Sequence, residues 1–421
     1  MRGSSSPCRR RRYERCAGGA GMNVVIVGTG HAACQLAASL RERKYEGDIT
    51  LIGREPGPTY QKPLLSKGFL LGKVAEPNLV LKPAAFFEQK RIAVIEAEVT
   101  AIDRAAKQVA GLPYDHLVLA TGAENRRLTV PGAGLDGVVM LRSQPEALAL
   151  RARLAGTKRI VIVGAGFIGM EVAAVAAQLG LEVIVVEQGE RALARAVSLP
   201  VSRYLLARHW AGGVRFHFGA ALAGFEGEGS LRAVHLADGT VIPTTLALVA
   251  IGVVPNMALA AQVGLATGNG IEVDARLATT DRAIHAIGDA AGYPHPLYDN
   301  RRVRVESIQN AMDQARCLAQ TLTGVPTVYA KLPWFWSDQW DIRLQIAGVG
   351  APGDQAVLRG SPEEGRFSVF RLDAEGRLSA VESINQAGEH MAARALVARR
   401  PRLEPSQIRD PEFPLQQLAA A

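Results

Sequence analysis

The sequence predicts an α/β fold, with two tandem Rossmann-like dinucleotide-binding domains followed by a C-terminal α/β domain. Three observations carry that prediction. At 421 residues the chain is too long for one ordinary core. Its 43 glycines and 5% aromatic content suit many tight strand-to-helix turns rather than a fibrous or disordered chain. Most telling is an internal repeat: Val24-Val25-Ile26-Val27-Gly28-Thr29-Gly30-His31-Ala32-Ala33 returns as Ile160-Val161-Ile162-Val163-Gly164-Ala165-Gly166-Phe167-Ile168-Gly169.

Each copy reads as a buried strand entering a glycine-rich turn, then a helix of small residues, predicted over 34–40 and 170–179. Glycines at 28, 30, 164 and 166 lack a Cβ where a pyrophosphate has to approach the backbone, and the helix N-terminus then faces the phosphate charge. One such fingerprint is weak; two in matching contexts make coincidence a poor explanation. The candidate turn residues are therefore Gly28, Gly30, His31, Ala32 and Ala33 in the first copy. In the second they are Gly164, Gly166, Phe167, Ile168 and Gly169. Ala33 stands in the third glycine position, which the fingerprint permits. For His31 an exposed or capping role is the alternative.

The second copy runs on to Leu181-Glu182-Val183-Ile184-Val185-Val186-Glu187, placing a carboxylate at the end of the second strand, where it accepts both ribose hydroxyls. Glu187 should repel a 2′-phosphate, which favours NADH over NADPH, although Arg191 and Arg195 stand nearby. In the first copy the strand Asp48-Ile49-Thr50-Leu51-Ile52-Gly53 is followed by Arg54 and only then Glu55, so the carboxylate is one place late. Either Glu55 takes the ribose or Arg54 binds the adenosine.

Charge and cysteine content narrow the function classes. Residues 1–21 hold six Arg and one Glu, so most of the +8 formal charge is confined to a leader without periodic pattern or signal-peptide character. Met22 reads as the true start. Deleting residues 1–21 is expected to leave flavin content and turnover unchanged; loss of either would show the leader to be structural. The remaining charge argues against a nucleic-acid partner. No apolar run approaches the roughly 20 residues that span a bilayer. Cys8, Cys16, Cys34 and Cys317 have neither metal-ligand nor disulfide spacing, which implies a reducing cytoplasm and no metal site. None lies between Cys34 and Cys317, so no cysteine pair relays electrons.

Several further segments bear a family resemblance: Tyr60-Gln61-Lys62-Pro63-Leu64-Leu65-Ser66-Lys67, Leu119-Ala120-Thr121-Gly122, Ile251-Gly252-Val253-Val254-Pro255-Asn256, Ile287-Gly288-Asp289-Ala290 and Pro333-Trp334-Phe335-Trp336-Ser337-Asp338-Gln339. From Asn23 onward the chain resembles the FAD-dependent ferredoxin reductases of the putidaredoxin reductase type, which feed bacterial oxygenases, within the glutathione-reductase-like flavoproteins. The resemblance implies FAD in the first fold and NADH in the second. It places Glu55, Lys62, Pro63, Lys67, Val99, Ala120, Thr121, Gly122, Arg142, Asp289, Ile308 and Trp336 around FAD, with Arg195, Ile251 and Gly252 joining the NADH set. Trp334 and Trp336 are either an aromatic wall beside the flavin or interdomain core. In that family a helix like the one starting near Ser307 aims its N-terminus at the flavin pyrimidine; the residues themselves fit a simple Ser-capped helix equally well. Two departures stand out: Lys62-Pro63-Leu64 replaces the family's Arg-Pro-Pro, and the first ribose carboxylate is displaced. Neither removes a group needed for hydride transfer.

The implied layout is an FAD domain over 22–123 and 249–328, an NADH domain over 124–248, and a C-terminal domain from 329 to 421 whose residues 364–386 alternate as antiparallel strands. Hydride would pass from nicotinamide to flavin N5 and leave as single electrons to a 2Fe-2S ferredoxin, with Lys82 and Arg316 as docking candidates. Lys67 and Glu171 are the catalytic candidates, implied by the resemblance to approach N5 from the two domains; the alternative is a turn-capping lysine and a helix-favouring glutamate. A monomer or weak homodimer is expected. The rival readings are a redox-signalling flavoprotein of the apoptosis-inducing-factor type, another NADH-dependent flavin reductase with a different acceptor, and a disulfide reductase or peroxidase, the last opposed by the missing cysteines.

Overall fold

The computed structural model describes residues 22–55, 57 and 59–420; the basic leader lies outside them. In the first unit, β1 (Val24–Val27) leads into α1 (His31–Glu42), β2 (Ile49–Gly53), β3 (Ile92–Glu96) and β4 (His116–Leu119). The second unit holds β5 (Val138–Val139), α2 (Gln144–Ala155), β6 (Arg159–Val163), α3 (Phe167–Gln178), β7 (Glu182–Glu187), α4 (Leu199–Ala211), β8 (Arg215–Phe218) and β9 (Ala247–Val249). The chain then supplies β10 (Ile284–Ala286) and α5 (Ile308–Leu322).

β10 returns to the first sheet, whose order is β10-β4-β1-β2-β3, and all its pairings are parallel. The second sheet, β8-β7-β6-β9-β5, is likewise parallel throughout. Such strands are covered on both faces, which is why β1 and β6 read as unbroken Val/Ile runs rather than alternating ones. The two chain crossings are laced to each other: Ala123–Asn125 pairs antiparallel with Val253–Pro255. Thr121 Oγ1 donates to the Asn256 carbonyl at 2.8 Å, and Asn256 Nδ2 to the Thr121 carbonyl at 2.9 Å.

α1 and α3 begin three residues earlier than the sequence pattern suggests. Gly30 and Gly166 are themselves the N-caps, with near-identical extended backbones (φ −79°, ψ −170° and φ −79°, ψ −176°). The helix therefore opens directly at the glycine turn, and the free N–H groups of its first turn face outward from it.

The third unit is an antiparallel sheet of β11 (Trp334–Gln339), β12 (Ile342–Gly348), β13 (Gln355–Ser361), β14 (Arg366–Leu372) and β15 (Leu378–Ile384), ordered β11-β12-β15-β14-β13, with α6 (Ala387–Arg399) behind it. One core runs through all three units: Leu65 and Phe69 of the first and Ile342, Leu344 and Phe367 of the third pack with Met170 and Val172 of α3. A polar link accompanies it. The buried Glu382 of β15 accepts from the Ser198 backbone N–H at 2.8 Å and the Ser198 hydroxyl at 2.5 Å, capping α4 from another unit. Burial pushes this carboxyl above its ordinary range, against the pull of Ser198 and Arg371.

Candidate active site between the glycine turns

The two glycine turns are alike in architecture but not in tolerance. Gly28 has φ +122°, and a Cβ there would meet the Ala120 carbonyl oxygen at 2.2 Å; at Gly164, φ is +106° and the Ala250 carbonyl lies at 2.5 Å. Glycine is required at both. At Gly30 a Cβ would meet nothing within 4 Å, and at Gly166 only the Ala250 oxygen at 3.9 Å. A side chain at these positions would fill the open cradle at a helix N-terminus, so the residues fit a pyrophosphate at each turn. The third positions differ. A Cβ on Gly169 would sit 2.0 Å from the Gly164 carbonyl, whereas the first copy accommodates Ala33 fully buried. Ala32, on the same turn, lies with its Cβ 3.2 Å from where a Gly288 side chain would begin.

Asp289 stands beyond β10 and pairs with Arg142 at 3.1 Å, while Arg142 Nε donates to the Ala123 carbonyl at 3.0 Å. Arg142 Nη2 also borders Gly122, so Gly122, Ala123, Arg142 and Asp289 form one cluster where the first and second units meet. Next to it, Ser307 caps α5 by accepting from the Asn310 N–H at 3.1 Å; Ile308 is the first helical residue. Gln309 accepts from the Trp334 N–H at 3.0 Å and so ties this helix start to β11. Trp334 and Trp336 have ring centroids 5.7 Å apart, and Arg394 lies 5.0 Å over Trp334. Val99 packs half-buried against the first core.

Glu55 reaches the phenol of Tyr60 and pairs with Lys62 at 2.9 Å, and Tyr60 Oη accepts from the Gln144 N–H of α2 at 3.0 Å. Burial would raise the Glu55 carboxyl, but Lys62 and Tyr60 outweigh it and hold it below its ordinary value. Burial lowers the Lys62 ammonium in turn. Burial, then the charge of Lys62, lowers His31 to about 4, so this histidine is neutral at physiological pH. His31 is half-buried at the start of α1 rather than exposed. Pro63 follows Lys62 in a single 3-10 turn, and its carbonyl accepts from Lys67 Nζ at 3.2 Å.

Lys67 and Glu171, 104 positions apart in the numbering, form an ion pair of 2.8 Å with side-chain exposures of 18% and 4%. Glu171 lies on α3, one turn past Phe167, whose ring meets Phe335 edge-on at 4.8 Å. Its carboxylate also accepts from the Ser66 hydroxyl at 2.5 Å and the Ser337 hydroxyl at 2.6 Å. Sequence reasoning missed both serines, although both lie inside motifs it singled out. Alternation along β11 was the available signal, since it puts Phe335, Ser337 and Gln339 on one face.

On the second unit, Glu187 Oε2 accepts from the Ala165 N–H at 2.7 Å and Oε1 from the Gly189 N–H at 2.7 Å, which anchors the carboxylate against the glycine turn. Ile168 is exposed beside that turn, and Ile251 packs half-buried under it. Arg195 Nη2 borders Gly252, whose φ is +97°. Arg191 is spent on the Ala194 and Val197 carbonyls at 2.8 and 3.0 Å. Of the docking candidates, Lys82 sits 4.6 Å over the Phe86 ring, and Arg316 pairs at 2.8 Å with Asp313, whose other oxygen accepts from Gln309 Nε2 at 2.6 Å. Cys34 and Cys317 are buried, and burial pushes both thiols up to about 11. Among the described residues no cluster of acidic, histidine and cysteine side chains could hold a metal ion, and no helix is long and apolar enough to cross a membrane.

Known proteins resemble this chain over most of its length. Residues 22–315 match the family described as pyridine nucleotide-disulphide oxidoreductase, and residues 334–419 match a reductase C-terminal family. Rhodocoxin reductase of Rhodococcus erythropolis is 45% identical over 94% of this chain and 93% of its own length. Putidaredoxin reductase of Pseudomonas putida is 37% identical over 95% and 97%. Among solved structures, the ferredoxin reductase for the CYP199A2 system from Rhodopseudomonas palustris superposes with a TM-score of 0.92 at 43% identity, covering 95% of this chain and all of that one. The covalent putidaredoxin reductase–putidaredoxin complex gives 0.92 at 36%, covering 96% and 99%. With two glycine turns of matching geometry and near-full-length relatives at this identity, the chain belongs to the pyridine nucleotide-disulphide oxidoreductase family and carries the reductase C-terminal domain.

Proposed function

We propose that this protein is an NADH-dependent ferredoxin reductase that passes electrons through FAD to a 2Fe-2S ferredoxin serving a monooxygenase or dioxygenase. The observation that carries the reading is the Lys67–Glu171 pair, which joins the unit of one glycine turn to the helix that opens at the other. It supplies a charged contact where the two nucleotides would meet. Relatives named for ferredoxin-type partners, at high coverage, support the acceptor. With both described cysteines buried and raised, no thiolate pair competes for the electrons.

FAD, when bound, accepts two electrons from NADH and delivers them singly. The chain's own residues do the rest. Gly28, Gly30, His31, Ala32 and Ala33 hold the FAD pyrophosphate, Glu55 or Arg54 takes its adenosine, and Lys62 and Pro63 line the same cofactor. Val99, Ala120, Thr121, Gly122, Arg142, Asp289, Ile308 and Trp336 surround the remainder. Gly164, Gly166, Phe167, Ile168, Gly169, Glu187, Arg195, Ile251 and Gly252 hold NADH. We assign residues 22–123 and 249–328 to FAD, 124–248 to NADH and 329–421 to the C-terminal domain. The protein works in the cytoplasm as a monomer or weak homodimer.

An absorption spectrum before and after NADH tests the cofactors: flavin bands that bleach are expected, and their absence would refute the reading. Cytochrome c reduction that depends on added ferredoxin tests the acceptor. Ferredoxins of this kind are acidic and should dock on basic groups, of which Lys82 is the stronger candidate because Arg316 is already paired. Ferredoxin reduction should therefore slow with rising salt while NADH-to-ferricyanide turnover changes little. Equal salt dependence of the two assays would remove electrostatic docking.

A further inference from the structure

Glu171 is where the three units meet: Ser66 and Lys67 come from the first, Glu171 from α3 of the second, and Ser337 from β11 of the third. Behind Ser337 the hydrogen bonds continue. Gln339 Nε2 donates to the Ser337 hydroxyl oxygen at 3.1 Å, and Gln339 Oε1 lies 3.0 Å from His209 Nε2 on α4. An amide oxygen only accepts, so in this network His209 carries its proton on Nε2. Burial lowers this imidazole to about 4, which keeps it neutral at physiological pH. Its Nδ1 is buried without a partner among the described residues.

Every donor in this chain therefore points the same way: from His209 to Gln339, from Gln339 to Ser337, from Ser337 to Glu171. All four side chains are buried, so none of these bonds competes with water. The register of β11 on α3 and α4 explains how the chain forms. Alternate strand residues Phe335, Ser337 and Gln339 meet Phe167, Glu171 and His209 in turn, a strand period of two laid along residues one helical turn apart and then onto the next helix.

We infer that Ser337, Gln339 and His209 are positioning residues, a one-way hydrogen-bond chain through which the C-terminal domain sets the Glu171 carboxylate and, through it, the Lys67 ammonium against the flavin. The inference rests on the proposed placement of the Lys67–Glu171 pair at the flavin. A hydroxyl donating to Glu171 Oε1 takes up part of the carboxylate's charge. Without it, Glu171 draws Lys67 more strongly and leaves less positive charge to stabilise a reduced, anionic flavin. Mere packing between domains would affect folding stability without touching the flavin's potential.

The test compares Ser337→Ala, Gln339→Met and Lys67→Met holoenzymes. In Ser337→Ala the midpoint potential of bound FAD should fall by about 30 mV, a tenfold shift against the reduced form for a two-electron couple. Stopped-flow reduction by NADH should slow about threefold at saturation, less than in Lys67→Met because only part of the equilibrium shift is felt in the transition state, with NADH affinity within about twofold of wild type. Gln339→Met keeps the serine hydroxyl but frees it to turn, so it should shift both quantities in the same direction by less, and it decides the matter if Ser337→Ala does not fold. A lowered melting temperature with unchanged potential and reduction rate would overturn the inference and leave these residues a structural role. If Lys67→Met itself reduces at the wild-type rate, the pair is not at the flavin, and the placement falls together with this inference.

Discussion

In Lys67→Met, FAD should stay bound but its reduction by NADH should slow about tenfold or more, which corresponds to roughly 1.4 kcal/mol in the barrier. FAD retention is expected because the glycine turn, Asp289 and Arg142 are remote from the substitution in the hydrogen-bond network. The rate loss follows from charge. Reduction adds a negative charge to the flavin, and an ammonium beside it favours that state; Met fills a similar volume without the charge. Lys67 is mostly shielded from solvent, so water replaces little of the lost field. Met also strips Glu171 of its cation, leaving a buried carboxylate on two serine hydroxyls, a costly arrangement. Stopped-flow absorbance of the flavin band checks this, and reduction at the wild-type rate would remove Lys67 from the mechanism.

NADPH should be a far poorer substrate than NADH, with kcat/KM lower by about a hundredfold or more, because a like-charge contact costs several kcal/mol. Glu187 is not free to swing away from a 2′-phosphate: backbone N–H groups of Ala165 and Gly189 hold its two oxygens. Nor do the neighbouring arginines offset it. Arg191 is engaged with two backbone carbonyls, and Arg195 lies toward Gly252. Glu187→Gln keeps the shape but removes the charge, and should narrow the NADH:NADPH ratio. Steady-state kinetics with both nucleotides decides; comparable efficiency with NADPH in the wild type would overturn the assignment.

Much of the nucleotide architecture was legible in advance because it is local. Gly28 and Gly164 sit where a Cβ would strike a carbonyl, and the strand, turn and helix that impose this lie within a dozen residues. The two helices start three residues before the small-residue pattern predicts, since Gly30 and Gly166 set the caps by backbone conformation. β10 shows as a short hydrophobic run before Gly288, but its pairing with β4 across more than 160 positions is not a property of local pattern.

The sequence by itself determined the repeat, the α/β class and the chemistry available at each turn, because steric need for glycine and a run of buried β-branched residues are properties of neighbours along the chain. Only the tertiary structure decided which side chains meet. Ser66 and Ser337 reach Glu171 from 105 and 166 positions away, on strands and turns whose periodicity specifies the face that is buried but not the partner it is buried against. That partner is chosen by the packing of three units onto one core, where a buried carboxylate has to find every donor it needs from whatever backbone the fold brings within about 3 Å.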